Sequence, residues 1–189
     1  MSTTRKNIKS VVAAFLATVL ISGPAAAQTA GGDVDSLLER LAQAEDAAAA
    51  QRLERQVIEA WSQSGSPSMN LLLRRGQDAL ERGEHAVAAE HFRALTDHAP
   101  GFAEGWHGLA LAYYNAERFG PAMDALERVL AIEPRHFGAL RGIGAIQEQV
   151  DRPELAYRAY ERVLALRPHD AQVREALDRL DREVRGTAL

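Results

Sequence analysis

Apolar and polar positions along this chain follow a helical rhythm, and the rhythm itself repeats. From Pro67 to Leu166, apolar residues at three- and four-residue spacings alternate with short polar breaks, the pattern of amphipathic helices rather than strands. Pro100, Pro134 and Pro168 stand 34 residues apart. Gly76, Ala110 and Gly144 keep the same step, as do Ala88, Ala122 and Ala156. So do the large residues Phe92, Leu126 and Tyr160, and Leu95, Val129 and Val163. A period of that length predicts an all-α array of stacked helix pairs.

Each unit reads as two helices. The first helices are predicted over 67–82, 103–116 and 137–150, and the second over 85–98, 120–132 and 153–166. Turns fall at Gly83-Glu84, Glu117-Arg118 and Asp151-Arg152. Pro121 and Pro153 sit in first turns, where a missing N–H costs little. The three periodic prolines follow the second helices and stop them. Small residues mid-way along the facing helices let them approach closely. The units span 67–102, 103–136 and 137–170.

Ahead of them, residues 28–66 carry two apolar sets, Val34, Leu37, Leu38 and Leu41, then Leu53, Val57, Ile58 and Trp61. Gln28 to Gly32 reads as a mobile lead-in and Asp33 or Asp35 as a cap. The alanine-rich stretch between the sets forces no break, so one long helix and a hairpin turning near Asp46 are both open. Phase favours the hairpin as a degenerate repeat or cap stacked before the first unit. Ser66-Pro67 then reads as N-cap and first turn. Behind the units, residues 171–185 carry one apolar stripe, Val173, Ala176, Leu177, Leu180 and Val184. Charge covers the rest, as a terminal cap requires.

These residues resemble three tandem tetratricopeptide repeats. The second unit carries the signature best, through Trp106, Leu109, Ala110, Tyr113, Ala122, Leu126, Val129 and Pro134. The third follows at Leu140, Ile143, Gly144, Ala156, Tyr160, Val163 and Pro168. The first follows at Leu72, Gly76, Ala79, Ala88, Phe92, Leu95 and Pro100, but has Arg75 where an apolar residue is usual. The resemblance implies a right-handed superhelix with a concave face that holds a peptide or a partner's helix. The chain is also similar to exported repeat proteins of alphaproteobacteria, through 61–66 and Pro134 to Leu140.

Arg5, Lys6 and Lys9 precede an apolar run from Val11 to Ile21, then Gly23-Pro24 and Ala25-Ala26-Ala27. That layout predicts a signal peptide over 1–27, cleaved after Ala27, and a periplasmic protein. The run is far short of the roughly 20 residues that span a bilayer, and no second one follows, so no membrane span is expected after cleavage. Cleavage removes three bases and no acid, moving the net charge from -4 to -7. A mildly acidic chain argues against nucleic-acid binding. Without cysteine, disulfides, thiolate metal sites and cysteine nucleophiles are excluded.

Six histidines are scattered, and none shows the i, i+4 zincin spacing. Glu104-x-x-His107 has the i, i+3 spacing of di-iron bundles. Glu133-x-x-His136 shares it, but Pro134 takes the pair off one helical face. The histidines read as surface and loop residues. No catalytic residue, metal or cofactor is expected. The first helices instead offer a row pointing away from their packed side. It comprises Asn70, Leu73, Gln77 and Leu80, then Glu104, His107, Leu111 and Tyr114, then Gly138, Arg141, Ala145 and Glu148. The resemblance implies that this row binds, although the Lys and Asn of some carboxylate-clamping relatives are replaced by Leu73 and Gln77. An exposed cluster of Leu73, Leu80, Leu111 and Tyr114 suits a peptide or helix. The leading expectation is a non-enzymatic scaffold for a protein or peptide of the cell envelope. The alternatives are a small metal-dependent hydrolase, or self-association as a homo-oligomer through the N-terminal hairpin or terminal helix.

Overall fold

The computed structural model describes residues 28–186, with side chains from Asp33 to Arg182. The expected leader lies outside the described residues, as does the side chain of Val184. Within them the chain forms nine helices: α1 (Gln28–Ala42), α2 (Ala47–Trp61), α3 (Pro67–Glu81), α4 (His85–His98), α5 (Ala103–Asn115), α6 (Phe119–Ile132), α7 (Phe137–Gln149), α8 (Pro153–Leu166) and α9 (Ala171–Gly186). No strand occurs among the described residues. Three helix pairs, α3/α4, α5/α6 and α7/α8, stack in order. α1 begins at Gln28, so the expected lead-in is helical backbone.

Local chemistry sets the ends. Each first helix stops at a left-handed residue, Gly83 at φ 72°, Glu117 at φ 57° and Asp151 at φ 57°. The backbone there turns back, with the N–H of Arg118 on the Tyr113 carbonyl (2.8 Å) and that of Arg152 on Gln147 (2.9 Å). Asp46 caps α2, accepting the Ala49 N–H at 2.7 Å, so α1 and α2 form a hairpin. Ser66 occupies the N-cap position of α3 without a capping bond from its side chain. Asn70 organises that linker instead, taking the Ser64 N–H at 3.0 Å.

The periodic small residues face the periodic large ones. A Cβ built at Gly76 would lie 2.6 Å from the Phe92 ring, and one at Gly144 would lie 2.4 Å from Tyr160. Where the middle unit has Leu126 in place of a ring, its facing position is Ala110. Gly108 and Gly142 serve the next interface: their Cβ atoms would meet Phe92 at 2.2 Å and Leu126 at 3.1 Å. Phe92 thus sits between α3 and α5 with no exposure. Ala88, Ala122 and Ala156 are likewise wholly buried.

The first unit ends the stack by itself. On α5, the face toward α4 is Gly105, Gly108, Leu109 and Ala112, all buried. The same phase on α3 is Leu71, Arg74, Arg75 and Asp78, all exposed. Arg75 therefore breaks no internal contact; it solvates the open end of the array.

The hairpin is not stacked before the first unit. It folds back to the far end of the array. Leu37, Leu38, Leu41, Ala50, Leu53 and Val57 join one core with Phe137, Leu140, Tyr160 and Val163 of the third unit, and with Val173, Leu177 and Leu180 of α9. Polar ties reinforce the docking. Arg135 pairs with Asp35. Arg167 pairs with Glu54 at 2.6 Å and with Asp170 at 3.1 Å, and lies over the Phe137 ring. His169 Nε2 donates to the Ala44 carbonyl at 2.8 Å. The periodic phase of Ile58 and Trp61 is real, but the first unit's charged end gives an apolar hairpin nothing to cover. The third unit and α9 do. α9 itself packs its stripe on α8, as a terminal cap.

Candidate functional site

Three successive first helices, α3, α5 and α7, present their row of predicted residues to one concave face, and α2 forms a wall along it. Two cavities result. One, of about 210 Å³, lies between α2 and the row and is lined by Ile58 and Trp61 with Leu73, Gln77, Leu80, Glu104, His107, Leu111 and Arg141. The other, of about 180 Å³, is a crevice between α5 and α7. Its lining includes His107, Leu111, Tyr114, Leu126, Gly138, Arg141 and Ile146.

The structure sorts the predicted row. His107, Leu111 and Arg141 border both cavities, and Tyr114 borders the crevice, its ring 5.6 Å from Phe119. Leu111 is 39% exposed, whereas Leu73 is only 4% exposed. The expected open cluster of four is thus narrower: Leu73 belongs to the core of the first two units. Asn70 and Glu148 line neither cavity. Asn70 holds the 62–66 linker, and Glu148 accepts the Tyr160 hydroxyl at 2.7 Å and pairs with Arg179.

Glu104 is not a surface acid. It is 9% exposed, and it accepts from two imidazoles: His107 Nδ1 at 3.3 Å and His136 Nε2 at 2.9 Å. His136, 1% exposed, caps α7, its Nδ1 accepting the Ala139 N–H at 3.0 Å. That bond fixes the tautomer. Nε2 carries the ring proton and donates it to Glu104. Burial opposes charge on Glu104, yet the hydrogen bonds from the two imidazoles outweigh it and hold the carboxyl well below the usual carboxylate range. Burial is also the largest influence on His136 and keeps it below the ordinary imidazole value, against the pull of Glu104.

These three side chains are near enough to suggest a metal, with one ligand atom from each within 4.8 Å of the others. The tautomer argues otherwise. A His ligand needs an unprotonated ring nitrogen with a free lone pair, and in His136 Nε2 donates to Glu104 while the Nδ1 lone pair is spent on the Ala139 N–H. The trio acts as a hydrogen-bond relay that positions His107. Its Nε2 lies against Gly138, where a Cβ would sit 2.9 Å away.

The reading of His136 as a loop histidine missed this. Trp61 of the hairpin stacks on it at 4.3 Å and covers it. One signal was present: the repeat places Gly138 in the phase of Glu104, leaving the room that His107 uses. The indole N–H of Trp61 has no hydrogen-bond partner among the described residues.

Stacked helix pairs with self-terminated ends and a concave row define a helical-repeat scaffold. The tetratricopeptide repeat profile matches residues 79–143. A TPR repeat-containing protein of Rhizobium etli is 30% identical over 153 residues, covering 81% of this chain and 75% of that protein. This chain belongs to the tetratricopeptide repeat family.

Solved structures agree on the fold. The first TPR domain of Spaghetti (RPAP3), bound to an HSP90 peptide, superposes with a TM-score of 0.59 at 22% identity, covering 61% of this chain and 92% of that one. The MamA protein superposes with a TM-score of 0.58 at 19% identity, covering 83% of each. Among the described residues, no helix is long and apolar enough to cross a membrane.

Proposed function

We propose that this protein is a non-enzymatic interaction scaffold of the bacterial periplasm, and that it holds a peptide or partner helix of a cell-envelope protein in the concave groove. The carrying observation is the crevice between α5 and α7, where Leu111 and Tyr114 offer apolar surface and His107 and Arg141 offer polar contacts at the rim. Tyrosine gives large area with a polar tip at low entropic cost, a common anchor. The RPAP3 domain named above, of the same fold, was solved with a peptide bound, which supports peptide binding as a use of this fold. The wall formed by α2 makes the groove a three-sided channel suited to an extended segment or one helix.

The periplasmic setting rests on the basic start, the Val11–Ile21 run and Ala25–Ala27. N-terminal sequencing of the native protein should find Gln28; intact Met1 on a cytoplasmic protein would remove the export part of the proposal. For the groove, a photoreactive residue at position 114 should capture an envelope protein in living cells. The same probe at exposed Arg128, on α6, should not. Equal capture at both positions would overturn the groove as the site.

A further inference from the structure

We infer that His136 is an acid-sensitive latch for the wall of the groove: with Nδ1 bare it seats Trp61 and holds the end of α2 on the row, and a second proton on the ring releases that end and widens the groove. The inference rests on the groove reading above and adds its regulation, but the latch itself is measured with no partner present.

Both ring nitrogens of His136 are engaged. Nε2 donates to Glu104 at 2.9 Å, and the Nδ1 lone pair accepts the Ala139 N–H at 3.0 Å. A second proton has only Nδ1 to go to. It would set two N–H groups against each other and place a cation at the N-terminus of α7, where the helix dipole opposes it. The ring therefore cannot be charged in place without losing the cap of α7. Trp61 rests on the same ring, 4.3 Å away between centroids and 11° from parallel. It is the last residue of α2. Past the wholly buried Val57, Ile58 is 43% exposed and Glu59 is exposed, so Trp61 carries the hold of that end. A displaced imidazole removes its seat.

The charges around the ring divide. Burial opposes a proton most, and His107 of α5 opposes it too. Glu104 of α5 and Glu133 of the preceding loop draw it in. From α2 the Trp61 face favours a cation, while Glu54 is paired with Arg167. Arg135 is paired with Asp35 of α1, and Arg141 of α7 adds positive charge on the shared cavity. The balance holds the closed ring below its ordinary value, so opening and proton uptake favour each other. The movement is small. Glu54–Arg167, Ala44–His169 and the core shared with α9 keep the rest of the hairpin docked, and the Ser64–Asn70 bond sets the pivot.

Residue-resolved amide exchange on the full chain tests this, with protection expressed relative to the free amide at each pH. Between about pH 7.5 and about pH 5.5, protection at 59–62 and at Ala139 should fall by about threefold to about tenfold, the upper figure being the limit for an opening that takes up one proton on an ordinary imidazole. The fall should be the same in about 0.5 M guanidinium chloride, because a small opening exposes little surface, whereas buried amides of α4 that exchange through global unfolding should quicken. His136→Asn should be flat over this pH range. Trp61→Leu should show low protection at 59–62 already at neutral pH.

Unchanged protection at 59–62 in the parent overturns the latch, as does a fall that follows denaturant in the manner of α4. Neither result needs a variant. His136→Asn with the parent's pH dependence also overturns it, and so does Trp61→Leu with the parent's protection. The position-114 probe reads the groove separately. Capture by a chain whose amides show no latch removes the latch and leaves the groove; a latch in a chain that captures nothing removes the groove and leaves the latch.

Discussion

The ring of Phe92 fills the space that a side chain at Gly76 would need: a Cβ there would come within 2.6 Å of it. The relationship is a rule of the array. Tyr160 faces Gly144 in the same way, and the middle unit, with Leu126, has Ala110. Volume is conserved across the pair rather than at either position.

Size exchange should therefore be tolerated only in pairs. Leu126→Phe alone should overpack, costing roughly 1–3 kcal/mol. Ala110→Gly made with it should recover a large part, less the helical cost of glycine, about 1 kcal/mol. Ala122→Leu and Ala156→Leu, at wholly buried sites, should each cost roughly 1–3 kcal/mol. Leu126→Ala should leave a cavity worth roughly 2–5 kcal/mol. Chemical denaturation of the set checks this; neutral results throughout would mean that the facing pairs are misassigned.

The left-handed turn residues give a prediction of opposite sign. Glu117 and Asp151 hold φ 57°, which costs a residue with a Cβ about 1–2 kcal/mol. Replacing either with Gly removes that strain but loosens the unfolded chain by about 0.4–1 kcal/mol. Each should raise the melting temperature, for a net gain of about 0.5 kcal/mol. Gly83→Ala, at φ 72°, should lower it.

Acid should destabilise the molecule in two stages. His136 titrates lower in the folded state than its ordinary 6.5, so below that value the unfolded chain binds the proton first and stability declines as pH falls. Glu104 is depressed from 4.5. Its contribution is present above that value and is lost as pH falls through the carboxylate range. Each pH unit over which the unfolded chain holds one more proton costs about 1.4 kcal/mol. His136→Asn keeps a side-chain oxygen to cap α7 but cannot titrate. Its stability should change less between about pH 6.5 and about pH 5 than the parent's. Parallel pH profiles would show that His136 does not carry the first stage.

Tyr113 and Tyr114 are adjacent and have different surroundings. Tyr113 packs in the core of the first two units beneath the Arg118 guanidinium, 4.8 Å from the ring centroid. Tyr114 borders the crevice. Tyr113→Ala should mainly lower thermal stability. Tyr114→Ala should mainly weaken partner capture, by about 1 kcal/mol or more. Unchanged capture with Tyr114→Ala would place the site elsewhere, with the loops around Phe102 and Phe137 next to examine.

Much of the architecture was legible because it is periodic. Pro100, Pro134 and Pro168, and the buried alanines at 88, 122 and 156, state the stack outright. The hairpin's docking was not legible, since period reports which residues face a neighbour but not which neighbour. Arg75 held the missing information, because a charged leading face on α3 refuses a cap. His136 escaped for a related reason: its burial depends on Trp61, brought against it by that docking. The concave row followed from helical geometry, but its division into groove, core and tether depends on α2.

The hairpin also bears on how the chain folds. Helical arrays owe their fast, local folding to neighbours in space being neighbours in sequence, so they can nucleate at many places and fray from either end. Here Asp35 meets Arg135, Glu54 meets Arg167, and Ala44 meets His169, across 100, 113 and 125 residues. Closing loops of that length adds a late, entropically costly step that the repeats alone do not need. Once closed, those contacts leave the last unit and α9 unable to fray without releasing the α1/α2 hairpin, so fraying from one side of an otherwise one-dimensional stack is confined to its open end at α3.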